Sequence, residues 1–171
     1  MACGQIQPAG GNTNSQTKTE AGKSAYPSLK IQANEVGNAT INGDFAKVVD
    51  YTYPKVLEMV GGRDKMLTLI KQGDEQNKAD GVSYVSVEIG DPGQIEKIDT
   101  QIFAVLPMKL TMKAPDGKFI GESALVGISD DGGQNWKFIS SVSQKRFNAV
   151  FPKAADKIKM PEEKQPTMVE Q

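Results

Sequence analysis

Residues 108–129, MKLTMKAPDGKFIGESALVGIS, decide the fold class of this chain. Apolar and polar residues alternate across 108–113, which is the two-residue period of a strand with one buried face. The Pro-Asp-Gly sequence at 115–117 favours a tight turn, because proline presets one backbone angle and glycine permits a positive φ. Residues 119–129 are then predicted to return as the second strand of a hairpin.

Flanking patterns extend this hairpin into an antiparallel meander. Residues 84–89 also alternate and end at a Gly-Asp-Pro-Gly turn. Residues 95–106 carry apolar side chains at both odd and even positions, so we expect both faces of that strand to be partly covered. A second turn at 129–135 leads into Trp136.

The residues before the meander carry helical patterns. Residues 29–41 are compatible with one helix, and Asp44 has the side chain and position of an N-cap for a second, short helix. Pro54 ends that helix or opens the next element, and residues 63–79 predict an amphipathic helix that stops at Gly81. Helices followed by an antiparallel meander predict an α+β fold with N-terminal helices packed on a curved sheet.

A set of helix breaks and aromatic residues connects this pattern to a known family. They are Asn42-Gly43-Asp44-Phe45, Tyr51, Tyr53-Pro54 and Gly61-Gly62. With the long helix and the meander, they resemble the nuclear transport factor 2-like superfamily, the cone-shaped fold shared with ketosteroid isomerase and SnoaL-like proteins. The resemblance covers about residues 30–145 and implies a pocket open at one end of the cone. A cystatin-like or other helix-on-sheet domain is the structural alternative.

The resemblance implies three uses for such a pocket: an acid–base active site, a ligand cup or a dimerisation surface. The side chains that we expect to line it are Tyr51, Tyr53, Tyr84 and Phe103. Ketosteroid isomerase works with an aspartate base, a tyrosine and a protonated aspartate. No local spacing pairs Asp44 or Asp99 with a tyrosine, and Asp44 is better explained as a helix cap. We therefore assign no catalytic residue.

The composition of the chain argues against several classes of function. The 171 residues include 20 basic and 21 acidic side chains, a net charge of −1, so no strong field favours nucleic acid. The chain has no histidine, the commonest general base and metal ligand. It also lacks a phosphate-binding glycine loop, a dinucleotide fingerprint and a metal-ligand cluster. We expect the protein to use no cofactor or metal. We predict a non-catalytic binding or interaction module whose ligand is a small molecule or another protein of the cell envelope. The alternative is a small isomerase-, cyclase- or dehydratase-type enzyme that uses Asp and Tyr.

The second turn has its own motif. Ser129, Asp131, Gly133 and Trp136 match the Asp-box pattern, in which Ser and Asp side chains bind turn backbone and Trp packs beneath the hairpin. In propeller proteins this motif recurs once per blade, and no second copy occurs here. We therefore predict a structural hairpin and infer no carbohydrate binding from it.

The N-terminal residues indicate a cellular location. Cys3 follows Ala2 at the head of a stretch rich in Gly, Asn, Ser, Gln and Thr, which resembles the processed start of a bacterial lipoprotein. This resemblance implies a lipid on Cys3, a flexible tether over residues 1–29, and an exported protein anchored to a membrane that faces the periplasm or the cell surface. The alternative is a chance free cysteine in a cytoplasmic protein.

The remaining boundaries follow from composition. We predict a single domain at residues 30–152 and a polar tail at 153–171, with one short helix and disorder beyond Pro161. No apolar run approaches the ~20 residues that span a bilayer, so the membrane is expected to be contacted only through the lipid. By analogy with the superfamily, a homodimer is expected to form through the outer face of the sheet.

Overall fold

The computed structural model describes residues 25–140, 142–162 and 164–169. The predicted lipidation site, Cys3, and most of the predicted tether lie outside the described residues. None of the helices in the described part of the chain has the length and apolar character that crossing a bilayer requires.

From residue 25 onward, four helices precede the sheet. They are α1 (Pro27–Asn42), α2 (Phe45–Tyr51), α3 (Pro54–Val60) and α4 (Arg63–Ala79). Gly43 ends α1 with a φ of 69°, a left-handed conformation that glycine adopts without a Cβ clash. The Asp44 carboxylate accepts a hydrogen bond from the Lys47 N–H at 3.2 Å, which confirms the predicted N-cap of α2. Pro54 begins α3, where its missing N–H costs no helical hydrogen bond.

In the described part of the chain, six strands form one curved antiparallel sheet. They are β1 (Ser83–Ile89), β2 (Gln94–Ile98), β3 (Gln101–Ala114), β4 (Gly117–Ser129), β5 (Lys137–Ser140) and β6 (Thr167–Val169). The long β3–β4 hairpin is central. β1 and β2 pair with successive parts of β3, while β5 and β6 pair with successive parts of β4. The curved sheet forms a half-barrel, and the helices packed on it confirm the predicted α+β fold.

β3 sends its side chains into two separate cores, one on each face of the sheet. Ile102, Ala104 and Leu106 pack with Leu29 of α1 and with Trp136. Phe103 and Val105 face the other way and pack with the helix α5 (Gln144–Val150) and residues 151–158. This division confirms the prediction that both faces are covered. The segment predicted at 95–106 is, however, divided between β2 and β3 by a turn at residues 99–100, and β3 continues through Pro107.

The C-terminal region differs from the predicted polar tail. Ala154 and Ile158 are 1% and 0% exposed and belong to the core that contains α5. The Gln94 amide accepts from Lys159 N–H and donates to the Lys157 carbonyl, while the Gln144 amide makes the same pair of bonds with Met160 and Ile158. The domain therefore continues to residue 160, and β6 lies where disorder was predicted.

The N-terminal boundary also differs. α1 begins at Pro27, Leu29 is fully buried, and the Tyr26 ring packs edge-on against Trp136 at 5.6 Å between centroids. Residues 25–29 were predicted to belong to the tether and instead form part of the domain. The outer sheet face, expected to serve dimerisation, is covered by α5 and residues 151–158 around Phe103.

Candidate functional site

A cavity of about 220 Å³ lies between the helices and the sheet, and we call it the helix–sheet pocket. α1, α2 and α4 contribute Val36, Val48, Met66 and Ile70, of which the last two stand four residues apart on one face of α4. Leu125 of β4 and Phe138 of β5 lie on the sheet side. Apolar side chains therefore dominate the lining.

The junction between α2 and α3 is fixed against β5. The Tyr53 N–H donates to the Phe138 carbonyl at 3.0 Å, and Thr52 forms a bridge with the same residue. The Thr52 hydroxyl is occupied by a hydrogen bond to the Val48 carbonyl at 2.9 Å. Thr52 therefore lines the pocket without offering a ligand an unused donor.

Two of the helices beside the pocket, α3 and α4, are loosely packed. Neither α3 nor α4 contains a fully buried side chain. α4 follows Gly61 and Gly62 and precedes Gly81, all with positive φ. Few buried apolar contacts are the mark of a segment that opens at low free-energy cost. α3 and α4 are thus the parts of the pocket wall best able to move.

Two polar contacts hold α4 at its ends. At its N-terminus Arg63 forms an ion pair with Asp50 at 2.7 Å. Towards its C-terminus the Asn77 amide donates to the Tyr84 hydroxyl at 3.1 Å. The ion pair is solvent-exposed and contributes little to stability, so these contacts orient α4 without fixing it rigidly.

The Tyr51 ring separates the pocket from an outer groove of about 490 Å³ that contains Glu35. The Tyr51 hydroxyl donates to the Glu35 carboxylate at 2.7 Å, and Lys47 lies 3.1 Å from the same oxygen. Hydrogen bonds from Tyr51 and Lys47 hold the pKa of Glu35 below its ordinary value. Burial, with the neighbouring Glu35, raises the pKa of Tyr51 to about 12. At neutral pH the pair is an ionised carboxylate and a protonated phenol.

The predicted pocket residues are not brought together. Tyr51 lines the helix–sheet pocket, whereas Tyr84 lies beside the end of α4. Tyr53 and Phe103 line a different cavity of about 240 Å³, next to Phe151. Phe103 points there because it occupies an odd position of β3, on the face opposite α1.

The two aspartates considered as bases have structural roles. Asp44 caps α2, and Asp99 forms an exposed ion pair with Lys153 at 2.8 Å. Neither contributes to the helix–sheet pocket. Glu35 was not predicted as a site residue, because it meets Tyr51 from another helix and no short sequence spacing marks that contact. Within the described residues, no group of three acidic or cysteine side chains is arranged to hold a metal ion.

The Asp-box residues form a hydrogen-bonded hairpin that is tied to α1. The buried Ser129 hydroxyl accepts from the Gly133 N–H at 2.9 Å, and Asp131 accepts from the Asn135 N–H at 2.9 Å. Bonds from Asn135 lower the pKa of the Asp131 carboxyl to about 2. The Trp136 indole N–H lies 3.1 Å from both the Gly133 carbonyl and the hydroxyl of Ser28 in α1. These contacts set the position of α1 over the sheet.

No family model matches this sequence, and no curated protein matches it either. Helices packed on a curved antiparallel half-barrel are compatible with the nuclear transport factor 2-like cone.

Proposed function

We propose that this protein is a non-catalytic binding module that holds a small apolar molecule in the helix–sheet pocket. The observation that carries the proposal is the lining, which is dominated by apolar side chains and contains no carboxylate. Ligand pockets typically enclose about 300–1,000 Å³, so a cavity of about 220 Å³ suits a small ligand. The loosely packed α4 provides the means of entry.

An acid–base enzyme is the second candidate, and the Tyr51–Glu35 hydrogen bond is the observation in its favour. A general acid or base works best with a pKa near the operating pH. The pKa values of both groups are displaced away from neutrality, that of Glu35 downward and that of Tyr51 upward. Glu35 also lies on the outer-groove side of the Tyr51 ring. Binding therefore accounts for the arrangement better than catalysis does.

Family membership and location complete the proposal. The helices packed on a curved half-barrel support placing the chain in the nuclear transport factor 2-like superfamily. The Ala2-Cys3 sequence ahead of a polar stretch supports a cell-envelope location. We further propose that Cys3 carries a lipid, that the membrane is reached through it, and that an envelope protein is an alternative binding partner. Incorporation of radiolabelled palmitate into the protein, expressed in bacterial cells from its natural open reading frame, tests the anchor, and an unlabelled wild-type protein contradicts it. Label that persists in the Cys3→Ser variant contradicts it.

The pocket is tested with the fluorescent probe N-phenyl-1-naphthylamine, titrated against the full-length protein. Ile70→Trp places a larger side chain in the pocket and is expected to abolish the saturable fluorescence increase. Leu69→Trp is the matched control, because Leu69 precedes Ile70 on α4, is 44% exposed and does not line the pocket. Circular dichroism verifies that both variants remain folded. Equal binding by the wild-type protein and both variants contradicts the proposed ligand site.

A further inference from the structure

The outer edge of β4 is only partly occupied by its own chain. β5 pairs with residues 125–128 and β6 with residues 118–120. No strand among the described residues pairs with 121–124 along this edge. Unpaired N–H and C=O groups on an edge strand form a template for another strand.

Pro166 explains why β6 stops where it does. Thr167 pairs with Ile120, so Pro166 stands at the next position of the register, opposite Gly121. Proline has no N–H to donate and is excluded from the interior of a ladder. The chain before it leaves the sheet, and a cavity of about 310 Å³ lies between Pro166, Pro161 and residues 121–124.

β6 is held weakly where it does pair. Its three residues are all exposed, with Met168 at 53% and Val169 at 39%. The preceding segment is attached to β4 by an exposed ion pair between Lys164 and Glu122 at 2.7 Å. Exposed ion pairs contribute little, and such short pairing opens at low cost. β6 is therefore easily displaced from the edge.

The geometry points to the edge of β4 at residues 118–124 as a docking site for an extended segment of another polypeptide, with β6 as a short placeholder. A longer antiparallel segment pairs with four positions that β6 leaves unpaired and occupies the cavity beside them. The chemistry of this docking segment follows from the contacts made by β6 and by the residues that precede β6. The segment has an aliphatic residue opposite Phe119, as Met168 is, and a basic residue near Glu122, as Lys164 is. It has no proline opposite Gly121.

The test uses the full-length chain with β6 disabled by Met168→Pro, which places a proline in the middle of this three-residue strand at an exposed position. The first probe is a fluorescein-labelled peptide of residues 161–171, PEEKQPTMVEQ, and the second is its P166T version. Fluorescence anisotropy is expected to show saturable binding of the P166T peptide to the Met168→Pro chain and weaker binding of the same peptide to the wild-type chain. The P166T peptide is expected to bind roughly tenfold tighter than the parent peptide, because the ladder continues past residue 166.

Two controls make the result specific. A peptide that itself carries M168P is expected not to bind, and the full-length Pro166→Thr protein, whose own β6 lengthens, is expected to exclude all the peptides. Emission from the buried Trp136 reports whether each variant is folded. No saturable binding of the P166T peptide to the Met168→Pro chain, or equal affinity of the P166T and parent peptides, overturns the inference. A wild-type dimer in sedimentation that Met168→Pro dissociates also overturns it, since the occupant is then a second copy.

Discussion

Ile158→Ala tests whether the C-terminal residues are part of the folded domain. The Ile158 side chain is 0% exposed, although it lies between the two exposed lysines 157 and 159. Truncating a buried isoleucine to alanine costs about 2–5 kcal/mol, the sum of lost hydrophobic transfer and the cavity left behind. We expect about 3 kcal/mol here, because α5 and the sheet enclose the site and collapse into the cavity is restricted.

The single tryptophan makes the assay informative. Trp136 is 1% exposed and belongs to the core on the opposite face of the sheet, so its emission reports unfolding far from the substitution. With a urea m-value of about 2 kcal/mol per molar, the midpoint should fall by about 1.5 M. Far-ultraviolet circular dichroism should give the same midpoint if the two cores unfold together.

The matched control is Met168→Ala, an apolar truncation in the same C-terminal region at a residue that is 53% exposed. It should change the free energy of unfolding by less than about 0.5 kcal/mol. A loss below about 0.5 kcal/mol for Ile158→Ala would refute the conclusion that residues 152–160 complete the core. A Trp136 midpoint that stays fixed while the circular dichroism midpoint falls would instead refute the single cooperative domain.

Three further predictions concern packing and ionisation. A Cβ at Gly127 would lie 2.9 Å from a leucine side chain of α1, so Gly127→Ala should destabilise the protein by about 1–3 kcal/mol. Gly121→Ala, with its nearest atom at 4.0 Å, should be tolerated, and equal thermal midpoints for the two would contradict this packing. The pKa of Asp131 is lowered to about 2 in the folded state, so its stabilisation is present above pH of about 4 and is lost as pH falls towards 2. Urea midpoints across that range should fall less steeply for Asp131→Asn, and identical slopes would exclude this carboxyl as the cause. Ultraviolet titration should show one tyrosine with a pKa of about 12, and Glu35→Gln should move the pKa of Tyr51 towards its ordinary value of about 10. An unchanged titration curve would show that Glu35 does not influence Tyr51.

The central hairpin and the helix caps could be predicted from sequence because their determinants are local. Alternation in residues 108–113 fixes which side chains share a face, and the Asp44 carboxylate reaches an N–H only three residues away. The division of β3 between two cores could be predicted because its apolar residues occupy both odd and even positions. The local periodicity of apolar residues and the helix-capping side chains were therefore enough to predict the order of elements and the class of fold.

The pocket and the C-terminal packing could not be predicted, because their determinants are long-range. The odd or even position of a residue does not show which face of β3 meets the helices. Phe103 was therefore expected beside Tyr51, whereas it lines the cavity next to Phe151. Glu35 and Tyr51 meet from different helices. Ile158, flanked by lysines, shows no periodic pattern, and its burial depends on α5 and on the amides of Gln94 and Gln144.

The amides of Gln94 and Gln144 also determine which C-terminal positions are free to vary. Both amides bond backbone atoms of residues 157–160, as a neighbouring strand would, and the Gln144 amide also donates to the Asn148 side chain. The exposed side chains of Lys157 and Lys159 take no part in these bonds. Substitution at those two lysines should therefore be nearly neutral. Evolutionary constraint should instead fall on the two distant glutamines and on one aliphatic residue. Relatives of this protein should then carry dissimilar C-terminal sequences in the same packed conformation, recognisable by a glutamine in β2 and another at the start of α5.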